Sequence, residues 1–391
     1  MQDQLVYNKI KDKLVQDENE KINRNENIIY YKSPVSVILL GDHTHYNDGI
    51  IISSALNRYT TVKVSKRDDL QILVKTKWDN AEFYCPLGTS EINDYKYPVQ
   101  NLASVINLLL QNEYQVKGFN CEIESDIPEC MGNGIYAAFQ IPLLKSVNDL
   151  FELNIPDETI IEISRKAELN LIGKISNIAH HFTSMYSKIN HVTKLDLRTK
   201  EIEFLKFDSD VQPVIIETGR RINVKEICKE RIEECEVGVK GLRLYIWGIK
   251  NLRDIKQDFL QKHIHMIPNR VYRRCLFNVT ERDRVTEAIE ALKNNNIHLF
   301  GKIMFESHNA LRDEYEISCD ELDFVVKESS NIGDVIGSKI LSCTPISSTI
   351  NIIKKGSAVK NIDLIKRVYY NKFGKELNLI ELESSNGVQR S

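Results

Sequence analysis

The stretch from Val35 to Leu40 is apolar at every position except Ser36 and is rich in β-branched side chains. A short run of this kind is typical of a buried strand, and Thr60 to Ser65 carries the same pattern. Further along the chain, strand and helix patterns alternate without internal repeats. The remaining predicted strands are Cys121 to Glu124 and Val211 to Glu217, and the predicted helices are Leu102 to Leu110, Asp157 to Ile172 and Glu281 to Leu292. The sequence therefore predicts a mixed α and β fold.

Length and composition narrow the class of protein. With 391 residues, of which 42% are hydrophobic, the chain can bury a sizeable core and is long enough for two domains. The formal net charge is −3 with both signs interspersed, which argues against a nucleic-acid or membrane partner. The eight cysteines show no C-x-x-C spacing, residues 1–4 are not a signal sequence, and no apolar run approaches membrane-spanning length. We therefore expect a soluble, cytoplasmic protein with reduced cysteines.

Three segments share their patterns with one known family. Residues 33–46 read S-P-V-S-V-I-L-L-G-D-H-T-H-Y, in the frame of A-P-G-R-V-N-L-I-G-E-H-T-D-Y. Residues 167–198 follow A-E-N-x-F-V-G-V-x-C-G-I-M-D-Q-F-A-S, ending in L-D-L-R where the pattern has L-D-C-R. Residues 300–323 match F-G-x-L-M-x-x-S-H-x-S-L-R-D-D-Y-E-V-S-C-x-E-L-D almost completely. On these strings the chain resembles the galactokinases, within the GHMP group of small-molecule kinases.

The resemblance implies a two-domain α+β fold. In the GHMP kinases the first domain is built around a mixed sheet, the second is ferredoxin-like, and the substrates lie in the cleft between them. We place the domains at residues 1–208 and 209–391, with the boundary between Phe207 and Pro213. A working member of this family would phosphorylate a sugar with Mg·ATP.

Both catalytic positions of the family are changed. Ser36 stands where the family has an arginine that faces the transferred phosphate, and His180 stands where it has a catalytic aspartate. A general base contributes about 10²–10⁴ in rate and an arginine-type stabiliser about 10³–10⁵. No catalytic residue of the family is therefore intact, although the imidazole of His180 offers a substitute base because it ordinarily titrates near neutrality.

The sugar-binding positions are altered less uniformly. Asp42 replaces a glutamate, and His45 replaces an aspartate that would accept hydrogen bonds from the sugar. A site that leaves buried polar groups unpaired rejects its ligand strongly, so we expect poor galactose binding and a shifted specificity. The positions that correspond to the family's substrate site are Asp42, His43, His45, Tyr46, His180 and Cys228, the last in place of a tyrosine that lies over the sugar.

The two glycine-rich segments that hold the nucleotide in the family have lost most of their motif residues here. The loop P-x-G-x-G-L-S-S-S-A corresponds to residues 128–137, in which Ile135 and Tyr136 replace serines and Glu129 adds a negative charge against a triphosphate. The second motif, G-A-R-M-T-G-A-G-F-G-G-C, corresponds to residues 337–348, which have no glycine after the first position. The weak candidates that remain for cofactor binding are Gly132, Asn133 and Gly134, for which a plain turn is the structural alternative. We expect no cofactor, and Mg·ATP only if the chain is a kinase.

If the chain has the family fold, three side chains that the family lacks at these positions form a possible metal site. Asp42, His45 and His180 would then converge on the sugar site, where two imidazoles and a carboxylate are suitable ligands for Zn²⁺ or another divalent ion. His181 is a further candidate nearby. The alternative is a disused pocket whose histidines are satisfied by hydrogen bonds.

These departures favour a galactokinase-like pseudokinase that acts as a binding or regulatory protein. One alternative is an ATP-dependent sugar kinase with unconventional active-site residues, and another is a repurposed metal-dependent enzyme. The expected partners are a small sugar or sugar derivative and a protein, with no nucleic acid and no membrane.

Overall fold

The computed structural model describes residues 28–90, 95–342 and 344–390. In chain order the strands of this part are β1 (Ile29–Leu40), β2 (Ile50–Lys66), β3 (Gln71–Thr76), β4 (Glu82–Pro86), β5 (Phe119–Ser125), β6 (His191–Asp196), β7 (Ile202–Lys206), β8 (Val211–Arg221), β9 (Val335–Leu341), β10 (Ile346–Lys354), β11 (Asn378–Glu381) and β12 (Gln389–Arg390). The α-helices are α1 (Val99–Gln111), α2 (Gly134–Leu150), α3 (Asp157–Ile172), α4 (Ile178–Tyr186), α5 (Val224–Arg243), α6 (Gln257–Lys262), α7 (Asn269–Lys293), α8 (Ile297–Asp313), α9 (Asp320–Ser330) and α10 (Ala358–Phe373).

The strands form two sheets. The first runs β12-β1-β2-β5-β3-β4, with β6 paired to β2 and β7 paired to β6. Its pairs are antiparallel except for β3 with β5, so the sheet is mixed. The second sheet has four antiparallel strands in the order β11-β8-β10-β9. The predicted α+β class and the mixed first sheet are confirmed.

The chain crosses between the two sheets more than once. It leaves the first sheet after Lys206 and enters the second at Val211. Near residue 390 it returns, because β12 pairs with β1 and an isolated bridge joins Leu56 to Ser384. The division into domains at residue 208 stays a prediction, and residues 389–390 lie in the sheet of the first predicted domain.

Local sequence accounts for most of these elements. The β-branched and apolar runs place Val35–Leu40 in β1 and Thr60–Ser65 in β2, as expected. The predicted helix from Asp157 to Ile172 coincides with α3, and its apolar residues from Ile160 to Ala167 are buried, while Leu171 is half-buried. The other predicted segments also lie in elements of the expected type, in β5, β8, α1 and α7. The helix predicted from Glu281 begins earlier, at Asn269.

Two glycines fix how the elements meet around the end of β1. Gly41 has φ +88°, and a Cβ there would lie 2.3 Å from the carbonyl oxygen of Ile50. Gly134 begins α2, and a Cβ there would lie 2.1 Å from the carbonyl oxygen of Ser36. The missing side chains let the loop after β1 turn back over the sheet and let the start of α2 touch the backbone of β1.

Two expectations from composition concern the whole chain. No disulfide bond joins the seven cysteines in the described ranges, and Cys343 lies outside them. No helix within those ranges is long and apolar enough to cross a bilayer.

Three apolar side chains from the matched strings test the assigned core. Phe182, Phe300 and Leu311 are buried, the last two completely. Truncation of each to alanine is expected to lower the free energy of unfolding by about 2–5 kcal/mol, because each leaves a cavity in a packed interior. Urea denaturation measures this. Leu364→Ala, at a position 62% exposed, is the control and should change stability by no more than about 0.5 kcal/mol. A cooperative transition that none of the three core variants shifts would contradict the assigned fold.

Candidate functional site

Four of the positions that correspond to the family's catalytic and sugar-binding residues line one small cavity, namely Asp42, His43, His45 and His180. It lies beyond the end of β1, between the loop that follows Gly41, the starts of α2 and α4, and the β9–β10 hairpin. We call it the central cavity. Its volume is about 20 Å³, and its polar lining consists of Asp42, His43, His45, Asn133, Asn177, His180 and Ser342.

The two altered catalytic positions contact each other. Ser36 is fully buried in β1, and its Oγ lies 2.9 Å from Nδ1 of His180 and 3.3 Å from the His180 carbonyl oxygen. His180 lies in the first turn of α4, which is capped by the side chain of Asn177. Burial, with smaller contributions from His181 and His45, lowers the pKa of His180 to about 3. At neutral pH the imidazole is therefore uncharged and engaged by Ser36.

Asp42 forms a buried ion pair that sequence reasoning missed. Its carboxylate contacts the ammonium of Lys339, which is completely buried in β9. Burial raises the pKa of Asp42 above its usual range, and Lys339 offsets this only in part, while Glu281 raises the pKa further. Lys339 stands where the family string G-A-R-M has its arginine, and a search for a partner to Asp42 among retained basic positions would have found it.

His45 is held by the backbone of a neighbouring segment. Its Nε2–H donates to the carbonyl oxygen of Lys174, at 3.1 Å, while Nδ1 is buried without a hydrogen-bond partner. Burial lowers the pKa of His45 to about 4. The segment Gly173–Ile175, a short 3₁₀ turn between α3 and α4, is thereby fastened over the central cavity.

His43 and Tyr46 meet a tyrosine from the third matched string. The ring of His43 lies 4.9 Å from that of Tyr315, whose hydroxyl hydrogen-bonds the hydroxyl of Tyr46. Burial lowers the pKa of His43 well below its usual value, and its Nε2 is buried without a hydrogen-bond partner. Sequence reasoning gave Tyr315 no role, although it lies within residues 300–323.

Cys228 is not among the described residues that line the central cavity. It is buried on α5 in an apolar cluster that includes Cys235, Leu242 and Cys275. Tyr315 belongs to the same cluster and Tyr46 packs against it, and the part of Cys228 in sugar binding stays a prediction.

The proposed metal ligands are close together but engaged elsewhere. Asp42, His45 and His180 all line the central cavity, yet each already contacts a different partner. His181 lies apart, with Nε2 3.1 Å from the carboxylate of Glu168. Within the described ranges no group of three or more His, Cys, Asp or Glu side chains is placed to hold a metal ion. The metal hypothesis therefore has no ligand set in this structure.

The first degraded loop is a short turn followed directly by α2. Glu129–Met131 forms one 3₁₀ turn, and Gly132 takes the left-handed φ of +70°. Both carboxylate oxygens of Glu129 accept hydrogen bonds from Arg221, at 3.0 and 2.9 Å. The predicted negative charge beside a triphosphate is thus paired with a cation from β8, because the turn faces the second sheet.

The second degraded motif is a β-hairpin. Gly337 to Leu341 lie in β9 and Ile346 to Ser348 in β10, while Cys343 lies outside the described residues. Ser348 donates a hydrogen bond to the carbonyl oxygen of Cys130, at 3.1 Å. The two segments that hold nucleotide in the family are therefore tied to each other here.

Comparison with known proteins identifies the family. Residues 100–188 match the model of the GHMP kinases N terminal domain, and residues 19–66 match the galactokinase galactose-binding signature. The chain is 27% identical over 362 residues to a galactokinase of Thermotoga petrophila and 28% identical over 360 residues to one of Pyrococcus furiosus, each match covering 92% of this chain and 99% of the relative.

Solved structures show the same fold. Galactokinase of Lactococcus lactis complexed with galactose superposes with a TM-score of 0.87 at 21% identity, over 98% of this chain and 100% of that one. Mevalonate kinase of Methanococcus jannaschii superposes with a TM-score of 0.62 at 17% identity, over 93% of this chain and 99% of that one. The sequence strings, the two sheets and these matches together show that the chain belongs to the galactokinase family of the GHMP kinases.

Proposed function

We propose that this protein is a galactokinase-like pseudokinase, a kinase scaffold that serves as a binding or regulatory protein without efficient phosphoryl transfer. One observation carries the proposal. Asp42, His45 and His180 line a cavity of about 20 Å³, and each is already engaged by a neighbouring side chain or backbone carbonyl.

The size of the central cavity is the first support. A cavity needs roughly 10–15 Å³ to hold one water molecule, whereas ligand pockets are usually about 300–1,000 Å³. The Lactococcus relative was solved with galactose bound, but the central cavity has room for about one water. A hexose would therefore fit only if residues that line the cavity moved apart.

The chemistry of the residues is the second support. General bases work best when their pKa lies near the working pH, and His180, with a pKa of about 3, is a weak base. Ser36 supplies no positive charge to stabilise a transferring phosphoryl group. The loop residues fit Mg·ATP poorly, because Ile135 and the bulky Tyr136 stand in place of serines at the start of α2 and the second loop is a hairpin.

Binding measurements test the proposal against the kinase alternative. Titration calorimetry of the full chain with Mg·ATP, and separately with galactose, is expected to give no heat of specific binding at millimolar ligand. The galactokinase of Thermotoga petrophila, treated identically, is the positive control.

Two outcomes would change the assignment. A micromolar dissociation constant for Mg·ATP would contradict the loop argument and favour a kinase with unconventional residues. Tight galactose binding without nucleotide binding would retain a sugar-binding pseudokinase, but it would contradict the argument from cavity size.

A further inference from the structure

The exposed stripe of α5 changes in character along the helix. No acidic residue occurs between Val237 and Arg253, whereas the first half of the stripe is acidic. The exposed residues of the stripe, spaced by three or four positions, are Glu226, Glu230, Glu233, Val237, Lys240 and Leu244. Two such helices laid antiparallel would set the acidic half of each against the basic half of the other.

An apolar projection follows the end of α5. Leu244 is 79% exposed, Tyr245 is 54% exposed and Trp247 is fully exposed. We call these three residues the aromatic knob. Contiguous exposed apolar side chains mark interaction sites, and tryptophan and tyrosine are enriched among the residues that dominate binding at protein interfaces. The exposed cations Lys240 and Arg243 flank the knob.

A groove of about 540 Å³ lies beside the other half of the same helix. We call it the lateral groove. Its apolar lining includes Leu171 and Ile172 from α3 and Ile232 from α5, and Lys229 and Glu233 lie on its α5 side. A concave, partly apolar site of this volume is large enough to accept an aromatic side chain.

We propose that the occupant of the lateral groove is the aromatic knob of a second copy of this chain. The two copies would pack their α5 helices antiparallel about a two-fold axis near Val237, so that each knob enters the groove of the other copy. Lys240 of each copy would then lie opposite Glu233 of the second copy. Because the contact is isologous, knob, groove and charge pair are each used twice.

The spacing along α5 agrees with this arrangement. Leu244 lies seven residues beyond Val237, about 10 Å along the helix axis at 1.5 Å per residue. The same distance in the other direction reaches Glu230, which is flanked by groove residues Lys229 and Glu233. The aromatic knob of one copy and the lateral groove of the other therefore lie at the same position along the paired helix axes.

The contact would also bear on the central cavity. Ile175 lines both the lateral groove and the central cavity, and the carbonyl of Lys174 holds His45. A knob seated in the groove would support the 173–175 segment from outside and keep the cavity closed. The interface stands on the exposed surface of α5, so it does not depend on whether the chain transfers phosphate.

Sedimentation velocity of the full chain tests the proposal. The wild type is expected to sediment as a dimer at micromolar concentration. Trp247→Ser should weaken the dimer by at least about thirtyfold, the effect of losing an interfacial residue that dominates binding. Trp78→Ser is the matched control, because Trp78 is the other tryptophan of the chain and is 47% exposed on the β3–β4 hairpin. It should leave the dimer unchanged.

A charge exchange identifies the register of the two helices. Lys240→Glu and Glu233→Lys should each weaken the dimer by about tenfold, since each sets like charges opposite one another. The double variant should dimerise like the wild type. A wild type that is monomeric at high micromolar concentration would overturn the proposal, as would a dimer that Trp247→Ser leaves intact. Failure of the double variant to recover would overturn the antiparallel pairing. None of these outcomes uses an activity measurement. A failure of the dimer proposal therefore cannot be confused with a failure of the pseudokinase assignment.

Discussion

Purified protein is expected to transfer no phosphoryl group from Mg·ATP to galactose at a detectable rate. The base position is occupied by His180, whose pKa of about 3 and contact with Ser36 leave it a poor proton acceptor. Loss of a general base costs about 10²–10⁴ in rate and loss of an arginine-type stabiliser about 10³–10⁵. These losses do not add simply, but the larger alone reduces an ordinary kinase turnover to a trace. A coupled assay that follows ADP release measures it.

The control for this experiment must distinguish the activity of the protein from that of a contaminating host kinase. His180→Ala and the wild type, purified in parallel, should show the same residual rate if the signal comes from a contaminant. A turnover of roughly 1–100 s⁻¹ that disappears in His180→Ala would show a working kinase and would refute the pseudokinase proposal.

Breaking the Asp42–Lys339 pair is expected to destabilise the fold strongly. Lys339→Met leaves the Asp42 carboxylate buried without its cation and near Glu281, and removing one partner of a buried pair typically costs about 3–5 kcal/mol. The double variant Asp42→Asn with Lys339→Met should recover most of this loss, since neither buried charge remains. Urea denaturation of the wild type, the single variant and the double variant measures the free energies of unfolding.

The loss should also depend on pH. Removing Lys339 raises the folded-state pKa of Asp42 further above its unfolded value, so the unfolded chain gives up its proton first as pH rises. The destabilisation should be full above the raised pKa and should shrink as pH falls toward the ordinary carboxyl range near 4. Lys354→Met is the matched control. Lys354 lies on neighbouring β10 and forms an exposed ion pair with Asp334, so its loss should cost no more than about 1 kcal/mol at any pH. Equal losses for Lys339→Met and Lys354→Met would mean that the buried pair does not stabilise the fold.

Sequence predicted the elements and the general location of the site. The strand from Val35 to Leu40 and the helix from Asp157 to Ile172 follow from local patterns of apolar residues, which need no tertiary information. The family frame also placed Asp42, His45 and His180 near one another, because each follows or begins an element that the frame locates. The first kind of inference uses residues that are close in the chain, and the second takes the long-range arrangement from the family.

Sequence did not predict what those residues do once they are together. The partner of Asp42 comes from β9, 297 residues further along the chain, and the partner of Glu129 comes from β8. Cys228 matched a motif position, but its neighbours in the buried cluster include Cys275 and Tyr315, which come from distant parts of the chain. Pairing of buried charges and closure of a cavity depend on packing between distant segments, and residue types at single positions do not specify it.

The pairing of β12 with β1 also has a consequence for the order in which the molecule assembles. Tyr31 pairs with Arg390, so nearly the whole chain lies in the loop that this contact closes. Contacts of such long sequence separation form slowly, because the entropy of loop closure must be overcome before they contribute. Until β12 arrives, the backbone of β1 around Tyr31 and Lys32 is an open sheet edge, the kind of surface through which partly folded chains associate. The slow arrival of β12 therefore lengthens the time during which partly folded chains can associate through this edge.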